Sequence, residues 1–461
     1  MLCTCGGVFE KAFLLFLFVF CASCLFNPGF LSWHDQQRVA QLLLLTVMAP
    51  MVYHAADKGL PKYVFFAFIF IALLGLLSSA YSLCPEWALK EWGRCLALFL
   101  GVIVVRGLVR RSYVRFAIFG CMVFVGSVQV FQFLIGYISA FLSGMRVLHA
   151  DVLISGFSNP RFFGQFQVLL FPVLAFLIVK FTLDRHFKVA TLIMGVLVFH
   201  WGLSYALGGR GLWVSVFFSH IFILFFFRKY WPFLLVQFLG ALTGFGVFIV
   251  LFISIPSWFD IIPWVHDGLR SGLSSRQLIW NLSFEMAVDN AWLGVGPMHF
   301  SAIYNPVAAH PHQVLLQWFS EWGAPSAVLA VFLVARGVLA GIFVLCDKNN
   351  DYEDVGLWVA LVGGVVLAQV DGVFVMPYTE MWLALLAGIS FFRWSEPSAT
   401  TVGQRLALGF TSIPVVLILG VVLLKEVPVL HATEAAYLKE NSIGLAPRFW
   451  EQGWIPMPQR E

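Results

Sequence analysis

Long apolar runs separated by short polar breaks dominate the chain. Stretches of about 17 to 25 residues recur near 9–26, 38–55, 63–83, 92–108, 114–138, 162–182, 189–207, 211–227, 232–254, 324–345, 355–374, 377–393 and 405–424. Coiled as a helix, rising about 1.5 Å per residue, each can cross about 30 Å of hydrocarbon. The pattern predicts an all-α, polytopic membrane helix bundle of about 12 to 13 spans. Phe20-Cys21-Ala22-Ser23-Cys24 is a poor cleavage site and more spans follow, so the first run is expected to be an uncleaved anchor.

One long interruption, 255–323, divides the chain. Residues 1–254 carry the first nine spans, 255–323 a large loop, 324–424 the last four spans, and 425–461 a tail rich in Pro and Trp. Ser274-Ser275-Arg276-Gln277 has capping-box spacing and predicts a helix over about 275–289, with Leu278, Ile279, Leu282 and Met286 on its apolar face. Asp289-Asn290 and Gly294-Val295-Gly296-Pro297 end it. A second helix is expected from Pro311, which suits a first helical position, to Trp322, before Gly323-Ala324-Pro325 breaks it. Gln313, Gln317, Ser320 and Glu321 form one polar stripe along it, to face a cavity, while its aromatic residues face lipid or neighbouring spans.

Lysines and arginines orient the spans because they resist translocation. Lys58 and Lys62, then Arg106, Arg110, Arg111 and Arg115, then Lys180, Arg185 and Lys188, then Arg228 and Lys229, and later Arg393 and Arg405 occupy alternate connections, the expected cytoplasmic set. The opposite set contains 27–37, 139–161, Gly208-Gly209-Arg210-Gly211, 255–323 and 372–376, which then face outward, to the periplasm in a bacterium. By parity the tail lies outside too.

Composition agrees with a membrane protein: 461 residues, 60% hydrophobic, 11% charged, 49 phenylalanines and a mean hydropathy of +0.88 cannot be hidden in a soluble core. The net charge of +4 is spread thinly with no basic run, which excludes a nucleic-acid partner. Of eight cysteines, Cys21 and Cys24 form a C-x-x-C inside an apolar run and are expected to pack rather than bind metal. No internal repeat or low-complexity segment is visible. Unusual polar residues gather at one interface, which favours surface chemistry over translocation.

Those residues define the candidate chemistry. Arg276, in the first turn of its helix beside unpaired N–H groups, suits a phosphate, although a solvated arginine has the same position. His312, expected in the first turn of the second helix, would stay neutral there and could act as a general base. His310-Pro311-His312 could also be a metal pair, but no third ligand is evident. Arg210, in the Gly208-Gly209-Arg210-Gly211 turn, and Arg161, after Phe157-Ser158-Asn159-Pro160, belong to the same face, and an arginine at a membrane boundary needs an anionic partner or a route to water. Residues 161, 210, 276 and 312 would surround a diphosphate if the bundle brings their loop ends together. His310, Gln313 and Glu321 are supporting candidates. Asp371, at the outer end of a late span, is another, as an acid in a membrane protein.

Four ordered signatures carry a resemblance: Gly156-Phe157-Ser158-Asn159-Pro160; Leu207-Gly208-Gly209-Arg210-Gly211; Arg276 through Trp280 leading to Trp292-Leu293-Gly294-Val295-Gly296-Pro297; and His312-Gln313, nine residues, Gly323. Together, over about 156–326, they resemble the bacterial O-antigen ligase and polymerase superfamily, which includes the pilin and protein O-oligosaccharyltransferases. Position 313 is Gln where the family commonly has Asn, and 161 is Arg where Asn or another polar residue is usual. The resemblance implies a metal-independent, inverting glycosyltransferase of the GT-C-like membrane type, without cofactor, in the bacterial inner membrane with its site facing the periplasm. It implies a glycan on undecaprenyl diphosphate as donor, Arg210 and Arg276 as diphosphate-binding arginines, and His312 as the essential histidine. Three acceptors fit: Ser or Thr of a protein such as a pilin, which the run from His310 to Glu321 resembles more; lipid A core; or the growing glycan. A transporter of lipid-linked glycans is the alternative of a different class.

Overall fold

The computed structural model describes residues 2–56, 58–149, 153–264, 276–347, 351–395, 398–399, 401–440 and 445–455. Helices dominate them: α1 (Leu2–Ala22), α2 (Trp33–Met48), α3 (Lys62–Tyr81), α4 (Pro85–Leu108), α5 (Ser112–Leu142), α6 (Pro160–Leu183), α7 (Phe187–Leu207), α8 (Arg210–Phe226), α9 (Trp231–Phe248), α10 (Arg276–Asp289), α11 (Val314–Cys346), α12 (Tyr352–Leu367), α13 (Pro377–Trp394), α14 (Val402–Val421) and α15 (Leu430–Glu440). Every expected apolar run overlaps a helix, although 355–374 leaves its helix at Leu367, so Asp371 lies in the turn beyond it. Among the described residues, eight helices are long and apolar enough to cross a membrane, so the chain is a multi-pass membrane protein. Of the remaining runs, α8 and α12 have 17 and 16 residues, and α4 and α13 carry charged side chains that lower their apolar character. Helix α14 continues through tighter and wider turns into α15, past the expected limit at 424.

Two short ladders supplement the helices. Val147–His149 pairs in parallel with Ile262–Trp264, which ties the connection after α5 to the segment after α9. Lys58–Gly59 pairs antiparallel with Ser398–Ala399 at another end of the chain. Close helix packing relies on small residues, as is usual where lipid gives no hydrophobic drive between helices. A Cβ on Gly244 of α9 would meet Trp201 Cβ at 2.5 Å and Val198 O at 2.8 Å on α7. Cys21, near the end of α1, and Cys24, in the turn after it, are buried free thiols.

Helix α11 breaks where the sequence places a break. Gly323 has φ 77° and ψ 164°, a conformation that disfavours a Cβ, and Pro325 follows. The break frees backbone groups, and the strap 291–296 takes them: Val295 N–H donates to Ser320 O (2.9 Å), Gly296 N–H to Glu321 O (3.1 Å), and Ala324 N–H to Ala291 O (2.8 Å). The strap approaches so closely that a Cβ on Gly323 would strike the Trp292 carbonyl, and one on Gly294 would strike the Glu321 carbonyl.

A chain of buried charges joins five segments. Arg38 of α2 and Arg94 of α4 both pair with Glu380 of α13. Arg94 also forks onto Glu91 (2.7 and 2.8 Å), Glu91 lies 3.5 Å from Arg448, and Arg448 donates to Glu321 of α11 (2.6 Å). Arg448 belongs to the tail, so residues 445–455 are folded into the bundle: Arg38 donates to the carbonyls of Arg448 and Phe449 (3.0 Å each), and Ile455 N–H to Ser301 O (3.1 Å).

Two stability outcomes follow from this framework. Gly323→Ala should lower stability by about 1–3 kcal/mol from backbone strain, with the Trp292 collision added, whereas Gly337→Ala, which meets nothing within 4 Å, should leave the melting temperature in detergent unchanged or raise it slightly. Arg448→Met should cost about 3–5 kcal/mol by leaving Glu321 and Glu91 uncompensated; an unchanged melting temperature would exclude a structural role for the tail.

Candidate active site

Three helices begin at or beside an arginine. Asn159 caps α6, accepting from Arg161 N–H (2.9 Å), so Arg161 stands in the first turn. Helix α7 ends on Gly208 in the left-handed conformation, φ 62°, and Arg210 opens α8 two residues later. Arg276 opens α10; the expected cap at Ser274 lies outside the described residues.

These starts meet. Gly164 of α6 faces Leu212 of α8 (3.7 Å), and Gly211 faces Leu367 and Val370, just ahead of Asp371 (2.9 and 3.6 Å from an added Cβ). The indole of Trp280 in α10 donates to Pro311 O (3.0 Å), beside His312. Electrostatics agree: burial lowers the half-buried Arg276 guanidinium, Asp371 opposes that shift, and the like charges of Arg161 and Arg210 add to it. Four helix starts and the turn after α12 therefore share one end of the bundle.

His312 occupies a different place from the one expected. Helix α11 starts at Val314, with Gln313 as its cap accepting from Leu316 N–H (2.5 Å), so Pro311 and His312 precede the helix. Val314 N–H donates to Ala368 O (2.9 Å) and Gln313 Nε2 to Gln369 Oε1 (3.3 Å), which moors the approach to the turn after α12 instead of winding it. His312 is held at φ 53°, left-handed and strained for a residue with a Cβ. Its Nδ1 lies 3.4 Å from Asp371 Oδ1. That carboxyl also accepts from Gly372 N–H (2.8 Å). Burial pushes the Asp371 carboxyl up, but His312, Gly372 and the amide of Gln165 outweigh it and hold the group below its ordinary value. Asp371 is therefore an ionised partner for His312. Gln165, one turn beyond Arg161 and fully buried, had no signal in the sequence beyond being polar in an apolar run.

His310 and Glu321 stand behind the site. The His310 ring centroid is 4.1 Å from that of His312, and His310 packs so tightly on Gly372 that a Cβ there would collide with it. Burial first, then His312, Arg448 and His34, hold His310 well below the ordinary value of 6.5, while the carbonyl of Pro447 in the tail opposes the shift. It is neutral. Glu321, a supporting candidate, places its carboxylate on Arg448 and on Phe300 N–H (3.2 Å). The polar stripe of α11 does face inward, with Ser320 accepting from Ser283 (3.0 Å) and Gln317 turned onto Arg448 (2.7 and 3.0 Å).

Asp371, Arg161 and Arg210 all act on the charge of Arg276, and Asp371 lies beside His312, while His310, Gln313 and Glu321 hold the chain behind that pair. No family model and no curated protein matches this chain.

Neutral, buried His310 has a consequence for pH. Unfolded, it takes up a proton below about 6.5 that the folded protein refuses, so stability is intact above that value and falls as pH drops beneath it. Replacing His310 with Gln should remove up to one proton, about 1.4 kcal/mol per pH unit, from that fall. Melting curves in detergent between pH 7.5 and 5.0 check this; parallel curves for both proteins would show that His310 is charged when folded.

Proposed function

We propose that the protein is a membrane glycosyltransferase that moves a glycan from undecaprenyl diphosphate to an acceptor hydroxyl on the outer side of the membrane. The observation that carries the reading is the meeting of Arg161, Arg210 and Arg276 with the His312–Asp371 pair at one end of the bundle. Three guanidinium groups at helix starts suit a diphosphate: each can give two parallel N–H donors, none loses its proton, and the helix ends add partial positive charge. An apolar crevice of about 470 Å³, lined by Phe68, Phe99, Leu333 and others and reaching Gln317 and Trp318 of α11, is chemically suited to an isoprenoid chain.

The reaction uses these groups in a single displacement. His312, with its Nδ1 proton toward Asp371, accepts the acceptor hydroxyl proton at Nε2 as that oxygen bonds to the anomeric carbon. The bond from that carbon to the diphosphate oxygen breaks, and Arg210 and Arg276, with Arg161, take up the charge growing on the leaving diphosphate. Asp371 stabilises the imidazolium that results. Attack opposite the leaving group inverts the anomeric centre. The acceptor favoured by the sequence is a Ser or Thr of a pilin or another protein; lipid A core, the growing glycan, and glycan translocation without transfer are the competing outcomes.

The test is transfer by purified protein from an undecaprenyl-diphosphate-linked oligosaccharide to pilin, with lipid A core offered in parallel. His312→Ala should slow transfer about 10²- to 10⁴-fold, and Arg276→Ala about 10²- to 10³-fold with no rescue by Lys. Undiminished transfer by His312→Ala would remove the general base. In cells lacking the protein, unchanged pilin with a lipopolysaccharide ladder reduced to bare core would reassign the acceptor. Donor accumulating on the inner rather than the outer face would replace transfer with transport.

A further inference from the structure

Away from the arginines, a second cluster of ligating side chains sits where the tail meets α2. His34 and Asp35, in the first turn of α2, and Glu451 of the tail each bring one ligand atom within 4.8 Å of the others, and all three residues are buried. His34 Nδ1 lies 3.2 Å from Asp35 Oδ1, and Asp35 Oδ1 accepts from Glu451 N–H (2.6 Å). Glu451 Oε2 accepts from Ser32 and Ser158 (3.1 and 3.0 Å). Two atoms remain orphaned: His34 Nε2 and Asp35 Oδ2 have no hydrogen-bond partner among the described residues, although both side chains are only 1% exposed. The nearby guanidinium of Arg38 does not fill the gap, being committed to Glu380, Gln41 and the carbonyls of Val375, Arg448 and Phe449.

We propose that His34, Asp35 and Glu451 bind one divalent first-row cation of the zinc or manganese class, which clamps the tail to the start of α2. Two carboxylates and one imidazole match such an ion in donor type and charge, and ligand atoms about 2.1 Å from an ion lie about 3–4 Å apart, a spacing this cluster can reach. A cation would use coordinating capacity that hydrogen bonding leaves open in the cluster and would offset two buried negative charges. The site touches Ser158 of the Gly156–Pro160 signature and lies in the tail that supplies Arg448 and Pro447 to Glu321 and His310. The clamp is structural and stands whether or not the protein transfers glycans.

Full-length protein, purified in detergent without added chelator, should carry about one equivalent of zinc or manganese by elemental analysis. Chelator should lower its melting temperature, and Zn²⁺ or Mn²⁺ alone should restore it. Asp35→Asn and Glu451→Gln should each weaken binding at least about tenfold, and chelator should no longer shift the melting temperature of either. Should a variant fail to fold, the chelator cycle on the unmodified protein still decides. Absence of bound metal together with a melting temperature indifferent to Zn²⁺, Mn²⁺ and chelator would overturn the proposal, leaving a shared proton in the cluster. Recovery by Mg²⁺ alone would overturn the assignment to an ion that favours nitrogen.

Discussion

Burying six charges in an apolar bundle constrains everything around them. Arg38, Glu380, Arg94, Glu91, Arg448 and Glu321 form a chain in which the sign alternates at every step, so each inner member is flanked by two opposite charges. Moving any one of these ions out of water costs several kcal/mol, and only dense pairing offsets it. The two ends are closed by neutral partners: carbonyls of Val375, Arg448 and Phe449 at Arg38, and the N–H of Phe300 at Glu321. Because members come from α2, α4, α11, α13 and the tail, their pairing fixes the relative positions of those five segments.

The end of that chain determines the reactive end of the molecule. Glu321 is two residues before the break in α11, and the strap 291–296 bonds the carbonyls of Ser320 and Glu321, so the first turns of α11 are held by both a charge and a backbone lattice. Such fixing permits strain a few residues upstream. His312 keeps a left-handed backbone because Val314 is bonded to Ala368 and His310 is seated on Gly372. The same turn that seats His310 carries Asp371, which gives the imidazole of His312 an anchored carboxylate partner.

Hydrophobic periodicity carried the helices into view, since a run that must bury its backbone in lipid leaves the same trace whatever surrounds it. The break at Gly323 was legible for a local reason too: glycine followed by Ala-Pro cannot continue a helix unperturbed. The start of α11 was not, because Pro311 suits a first helical turn in isolation while distant bonds to Ala368 and Gln369 hold 311–313 unwound. Gln313 is an unusual cap, so the pattern of preferred capping residues gave no warning. Glu321 was visible as polar and inward, but its partner lies 127 positions along the chain in a segment with no helical period. For the same reason nothing in the Pro- and Trp-rich tail pointed to Arg448 as a buried partner.

Charge distribution is the reason the anion site is proposed at one end and not along the buried chain. There, three guanidinium groups are matched by three carboxylates, so nothing remains to attract a ligand. At the start of α6, α8 and α10, Arg161 and Arg210 act with Asp371 on the charge of Arg276, and Asp371 lies beside His312. Three helix starts add partial positive charge to these guanidinium groups. The proposed donor's diphosphate, with about two negative charges of its own, suits such a setting. Its charge grows as the glycan leaves, so the same field that holds the proposed donor favours the transition state more than the ground state.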